Sequence, residues 1–183
     1  GRVEAESFVA GTEKRVGVAW APVMIEPCPS ILGASDVLQA SELLFGEAFS
    51  VFEEKDGWSW GQCAHDGYVG YVKSSNLFRT LNEPTHWVSA ANSLVFSDPN
   101  GEYPPQMRLS MMAGVVVERI TGDYACLASG GWIFNKHIRA INKTQPDFMA
   151  TASMFNREPY LGGGRGGRVG FVVAAGRGTS SAP

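Results

Sequence analysis

The chain has 183 residues, 44% hydrophobic, 18% charged and 11% aromatic, with a formal net charge of −3. Those values suit one or two small folded domains and exclude a disordered, collagen-like or coiled-coil chain. The mild acidity offers no basic footprint for nucleic acid, and no window reaches the ~18 consecutive apolar residues of a membrane-spanning helix, so neither partner is expected.

Residues 1–21 carry no clear period and read as a lead segment, either extended or a short helix ending before Pro22. No cationic stretch followed by an apolar core opens the chain, so no secretory leader is expected. This points to the cytoplasm, with the periplasm the alternative if the start is processed. From 22 to 82, short apolar runs alternate with turn residues. Leu43-Leu44-Phe45-Gly46, Phe49-Ser50-Val51-Phe52 and Tyr68-Val69-Gly70-Tyr71-Val72 are rich in aromatic and β-branched residues. Asp56-Gly57 and Asp66-Gly67 stand between such runs, where hairpin turns need residues that tolerate positive φ. The pattern predicts a meander of strands, with one or two helical turns over 35–44.

A second stretch, 83–143, repeats the plan. Gly70-Tyr71-Val72 followed by Leu77 recurs as Gly131-Trp132-Ile133 followed by Ile138, each 61 residues further on. Trp58 and Tyr124 hold comparable places after acidic or glycine turns. The first copy is longer between these landmarks, which implies an insertion around 62–67. The organisation predicted is therefore a duplicated all-β unit. Beyond it, Phe148, Met149, Ala152 and Phe155 predict a short helix over 147–156. Six of the nine residues from 162 to 170 are glycine, and this tail is expected to be disordered because ordering it would lose much backbone entropy and bury little.

Several chemistries fail on inspection. Cys28, Cys63 and Cys126 form no close pair, which argues against a zinc site or a disulfide framework and predicts free thiols, with a single disulfide as the alternative. Gly167 is followed by Arg168-Val169 rather than the Lys-Ser/Thr of a phosphate loop, and no strand and amphipathic helix flank the glycines as a dinucleotide fingerprint requires. No metal or cofactor is predicted. A thiol nucleophile needs a base beside it. Cys63 and His65 would share a side if extended, yet no third orienting group is identifiable, so they read as a loop histidine beside a partly buried thiol. His137 reads as a solvent-facing turn residue and His86 as the entrance of a strand.

The aromatics are more informative. Strand alternation puts Trp58 and Trp60 on one face and Ser59 on the other. With Tyr68 and Tyr71 they either fill a barrel core or line a surface groove of the kind in which small β modules bind extended peptides. In the groove reading, Glu47, His65 and Asp66 supply the polar contacts.

At these residues a resemblance enters. Leu43-Leu44-Phe45-Gly46-Glu47, the acidic turn ending in Gly57-Trp58, and Asp66-Gly67-Tyr68-Val69-Gly70-Tyr71-Val72 together resemble the first bacterial SH3 (SH3b) domain of NlpC/P60-type cell-wall peptidases. These are γ-D-glutamyl-L-diamino acid endopeptidases of the dipeptidyl-peptidase VI kind. The stretch 84–141, with Gly130-Gly131-Trp132-Ile133 and His137-Ile138, is similar to their second SH3b domain. Phe155-Asn156-Arg157-Glu158-Pro159-Tyr160-Leu161-Gly162-Gly163-Gly164-Arg165 is similar to the opening of the peptidase domain. The resemblance implies an all-β chain with two SH3-like barrels in tandem, at 22–82 and 83–143. A lead of 1–21 precedes them, and a remnant of the peptidase domain at 144–183 follows. The family's Trp before the paired glycines is Gly162 here, and Val172 and Val173 stand where the family's nucleophilic Cys is due. No Cys follows Cys126 and no His follows His137, so the chain as given is expected to be inactive, its peptidase part truncated, degenerate or frame-shifted.

The resemblance also implies a role for the first SH3b domain in the substrate pocket. A Tyr and an acidic residue there hold the free amino end of a murein peptide, L-Ala-γ-D-Glu-diamino acid. By motif the Tyr is Tyr68 and the acid is Glu47, and Asp66 and Trp58 complete the predicted substrate-binding set. An ammonium group suits a carboxylate and a hydroxyl, since a charge-assisted hydrogen bond is about twice as strong as a neutral one. The expected function is the non-catalytic SH3b portion of a murein-peptide endopeptidase, binding its peptide weakly. The alternatives are a stand-alone cell-wall or peptide-binding module and a protein-interaction scaffold, homodimeric through the surface left by the missing peptidase domain.

Overall fold

Asp56 and Gly57 both adopt left-handed backbone, with φ of 51° and 80°. Two such residues in succession give a turn whose twist matches that of a β-hairpin. The turn joins the two longest neighbouring strands of a computed structural model that describes residues 11–27, 39–79 and 82–143. Seven strands form the first sheet: β1 (Thr12–Val16), β2 (Trp20–Met24), β3 (Gln39–Leu44), β4 (Ala48–Lys55), β5 (Trp58–Cys63), β6 (Val69–Lys73) and β7 (Leu77–Phe78). Their spatial order is β3-β2-β6-β5-β4-β1-β7, and every pairing is antiparallel.

The second half contributes β8 (His86–Val88), β9 (Asn92–Phe96), β10 (Met107–Ser110), β11 (Gly114–Val115), β12 (Val117–Thr121), β13 (Tyr124–Leu127), β14 (Trp132–Phe134) and β15 (Ile138–Ala140). One sheet runs β10-β9-β14-β13-β12 and a smaller one β11-β8-β15. Placed end to end, these two orders reproduce that of the first sheet strand for strand, with β4 split into β11 and β12 at Val116. The details repeat as well. A 3₁₀ turn at Ser74–Asn76 joins β6 to β7, and another at Asn135–His137 joins β14 to β15. The register slips between Val51 and Glu53 in the first unit and between Val117 and Arg119 in the second. The bond from Val16 N to Glu47 O (3.0 Å) has its counterpart from Val88 N to Ala113 O (2.9 Å). The chain among the described residues is thus nearly all-β, as its pattern predicts.

Two element readings differ from the structure. Residues 12–21, read as lead-in, supply β1 and the first two residues of β2, and the boundary drawn at Pro22 falls inside β2. Proline is tolerated there because β6 meets β2 only at Met24, leaving most of the strand with one partner, β3. The period was hidden because Lys14 and Arg15 are both buried. The described part of the proposed helical turns, residues 39–44, is strand β3. The extra length around 62–67 extends a hairpin: β5 is longer than β13 by two residues, and its turn is longer too. The predicted helix at 147–156 and the glycine-rich tail lie outside the described residues.

Each unit has its own core. Val16, Ala21, Val23, Leu43, Phe49 and Val72 fill the first, and Val88, Val95, Leu109, Ala125 and Ile133 the second. Phe45 belongs to the first unit by sequence, yet its ring is buried in the second core. Leu44 packs beside it against Met111 and Met112, and Gly114 N donates to Phe45 O at 2.7 Å. Arg15 spans the same junction, donating to Gly46 O at 3.1 Å and pairing with Glu13 and Glu83.

Lys14 closes the other side of β1. Its ammonium meets Glu54 Oε1 at 2.5 Å, and Ser59 Oγ donates to the same oxygen at 3.2 Å while contacting Ser74 Oγ at 2.8 Å. The Lys14 hydrogen bond holds the Glu54 carboxyl below its ordinary value, against a smaller upward push from burial. A depressed folded-state pKa gives stability that is present above the unfolded value and is lost as pH falls through the folded one. Glu54 remains 40% exposed, so solvent screening keeps the effect small. Glu54→Gln should lower stability by about 1 kcal/mol at neutral pH and leave it unchanged at pH 2. Urea unfolding of both proteins at the two pH values checks this; an equal loss at pH 2 contradicts it.

Candidate functional site

The four residues singled out in the sequence separate into two places. Three of them share one end of the first sheet. Ala64 N donates to Ala48 O at 3.1 Å, which sets the β5–β6 turn beside the start of β4, immediately after Glu47. Within that turn Cys63 N donates to Tyr68 O (2.8 Å), Gly67 N to Cys63 O (3.0 Å) and the Gln62 amide to Gly67 O (3.0 Å). Asp66 organises it further. Its Oδ1 accepts from Tyr68 N at 3.1 Å, and its Oδ2 accepts from the hydroxyl of buried Ser41 at 2.7 Å. Such a carboxylate ties the turn to β3 and fixes where Tyr68 projects. Tyr68 itself is 53% exposed. Glu47 holds its own turn closed: its Oε2 accepts from Leu44 N at 2.9 Å, while its backbone N donates to Leu44 O at 3.1 Å. Glu47 and Asp66 therefore both act as acceptors for neighbouring protein groups, and Tyr68 remains open to solvent.

Trp58 lies at the opposite end of the β5–β6 hairpin. It pairs with Lys73, whereas Gln62 pairs with Val69 beside the turn; four residues of strand separate the two ends by about 13 Å. Along β5, Ser59, Gly61 and Cys63 are buried and Trp58, Trp60 and Gln62 are half-buried. The indoles thus sit on the outer face, which decides between the core and groove readings in favour of a groove. It has a volume of about 350 Å³ and is lined by Pro27, Glu53, Lys55, Asp56, Trp58, Trp60 and Tyr71. Phe52 packs on Trp60 with ring centroids 5.4 Å apart, and Lys73 Nζ lies 5.9 Å from the centre of the Trp58 ring.

Glu53 and Lys55 were absent from the sequence reading, and Asp56 entered it only as a turn residue, though a signal existed. A two-residue turn at Asp56-Gly57 pairs Lys55 with Trp58, and the bulge at Phe52 leaves Glu53 opposite Trp60. Two other readings change. Cys63 is 1% exposed and packs in the first core, so its thiol is shielded from solvent. His137 is a turn residue as read, but it is half-buried, with Nδ1 2.9 Å from the hydroxyl of buried Ser93 and its ring against Phe134, so it is only partly open to solvent. Cys63 and Cys126 are free thiols, and Cys28 lies outside the described residues. Among the described residues no three His, Cys, Asp or Glu side chains converge as metal ligands would, and no helix is long and apolar enough to cross a membrane.

Residues 34–77 match the family model of the bacterial dipeptidyl-peptidase SH3 domain. Among solved structures, an NlpC/P60 family protein from Bacillus cereus ATCC 10987 superposes with a TM-score of 0.65 at 15% identity, over 83% of this chain and 66% of that one. The chain thus spans slightly under two thirds of that protein's length, and the likeness is one of fold. NlpC2 and NlpC1 from Trichomonas vaginalis give TM-scores of 0.31 and 0.30 at 10% and 12% identity. They cover 80% and 78% of this chain, and 55% and 50% of their own. No curated protein matches the sequence.

Proposed function

We propose that this chain is the SH3b portion of a bacterial cell-wall peptidase of NlpC/P60 type, with two SH3b units in tandem that recognise murein peptides and do not cut them. The observation that carries this reading is the match of residues 34–77 to the SH3 domain of bacterial dipeptidyl-peptidases. It is supported by the exposure of Tyr68, whose backbone N is bonded to Asp66 in the turn. The repeated strand order supports the tandem arrangement. In this reading Tyr68 contacts the amino end of L-Ala-γ-D-Glu-diamino acid, and Glu47 and Asp66 shape the two turns around it. Cleavage is assigned to no residue, since no Cys follows Cys126 and no His follows His137. The compartment proposed is the cytoplasm, where such peptides are recycled.

Calorimetric titration with L-Ala-γ-D-Glu-meso-diaminopimelate tests the proposal. Weak, saturable binding is expected, and Tyr68→Phe should reduce it by about fivefold, the effect of one hydrogen bond to a charged group that stays partly solvated. A chain that takes up no heat from this peptide at millimolar concentration is not a murein-peptide module.

A further inference from the structure

The outer face of the first unit carries a charge pattern that the turn at Tyr68 does not explain. Directly opposed residues of antiparallel strands share a face. Across β4, β5 and β6 this produces two adjacent rows. One is Lys55–Trp58–Lys73, and the other is Glu53–Trp60–Tyr71. Two residues along a strand set the rows about 7 Å apart. Glu53, Lys55 and Asp56 are exposed and, among the described residues, enter no ion pair or side-chain hydrogen bond, so no described group meets their charges. With Lys73 the four charges cancel, so a simple anion or cation gains no net attraction here. A molecule that carries both signs at the spacing of the rows does.

The second unit shows what the same face looks like without this pattern. Its corresponding rows are Thr121–Tyr124–Phe134 and Arg119–Cys126–Trp132. There the Arg119 guanidinium lies 5.0 Å from the centre of the Trp132 ring, so the fold itself supplies a cation to the aromatic face. Glu53 occupies the place of Arg119 in the first unit. A carboxylate in that place, in one row with Trp60 and Tyr71, draws a cation where the second unit's arginine would repel one.

We propose that this groove is a binding site of its own for a short zwitterionic peptide. Its ammonium lies beside Glu53 against the Trp60 and Tyr71 rings, and its carboxylate lies between Lys55 and Lys73. The proposal rests on the peptide-recognition reading only in the choice of probe.

The experiment follows the indole N–H signals of Trp58 and Trp60, and the amides of residues 64–68, in the full chain. The probe is L-Ala-γ-D-Glu-meso-diaminopimelate, with its amine-acetylated and carboxyl-amidated forms as controls. Saturable indole shifts that persist in Tyr68→Phe are expected. Glu53→Gln and each capped probe should weaken them about tenfold, as loss of a charge-assisted contact implies. Because the capped probes leave the protein unaltered, the test does not depend on the fold of any variant. Shifts confined to residues 64–68 overturn this proposal and leave the function proposed above standing. Shifts confined to the indoles uphold it and remove Tyr68 from the peptide site. Equal binding of the capped probes, or no shift anywhere, overturns it.

Discussion

Phe45→Ala is expected to destabilise the second unit by about 3–5 kcal/mol, although residue 45 lies in the turn that follows β3 of the first. The ring is 3% exposed and contributes to the cluster of Val88, Val95, Leu109, Ala125 and Ile133. Truncation removes its transfer energy and leaves a cavity that the close-packed sheets around it cannot fill. Amide hydrogen exchange at Val95, Leu109 and Ile133 reads the loss directly, and urea unfolding gives its size. If those amides keep their protection, Phe45 is not part of that core. The result bears on the proposed function, because a first-unit ring buried in the second unit's core ties the two units together.

The second large effect is expected at Gly46. Its φ is +79°, and a Cβ there would lie 2.2 Å from the carbonyl oxygen of Gly114, a contact no side-chain rotation relieves. Gly46→Ala should therefore cost about 3 kcal/mol or more, combining left-handed strain with displacement of the backbone that bonds Phe45 O. Gly57→Ala is the control. Its φ is +80°, but nothing lies within 4 Å of the added carbon, so only the strain of about 1–2 kcal/mol applies. Equal losses in the two variants would show that the approach of Gly114 contributes nothing. The second unit carries Met112, at φ 70°, at the place corresponding to Gly46. Its side chain packs against Leu44 and Met111, so the junction uses the same turn twice, once for close approach and once for apolar contact.

Part of this was legible in the residues. The Asp56-Gly57 turn, the alternation of Trp58 and Trp60 about Ser59, and the recurrence of Gly70-Tyr71-Val72 as Gly131-Trp132-Ile133 are local features, and local geometry dictates their consequences. The candidate site was legible in part. Tyr68 and Trp58 could be named from their motifs, but their placement at opposite ends of one hairpin follows from strand length. Glu47 and Asp66 accept from Leu44 N and Tyr68 N within their own turns, but the bond from Ser41 Oγ to Asp66 depends on a strand brought close by the fold.

The sequence by itself determined that this protein is built of short antiparallel strands, that the plan occurs twice, and that two indoles share a face. Period, turn chemistry and repetition are properties of neighbours along the chain. The tertiary structure alone decided that Lys14 and Arg15 are buried, because the carboxylates that satisfy them come from Glu54 and Glu83, far away in sequence. It also decided that Phe45 fills the core of the other unit, and that a bulge at Phe52 turns Glu53 toward Trp60. Burial of a charge, docking of one unit on another and a change of strand parity each depend on a partner that no local pattern specifies.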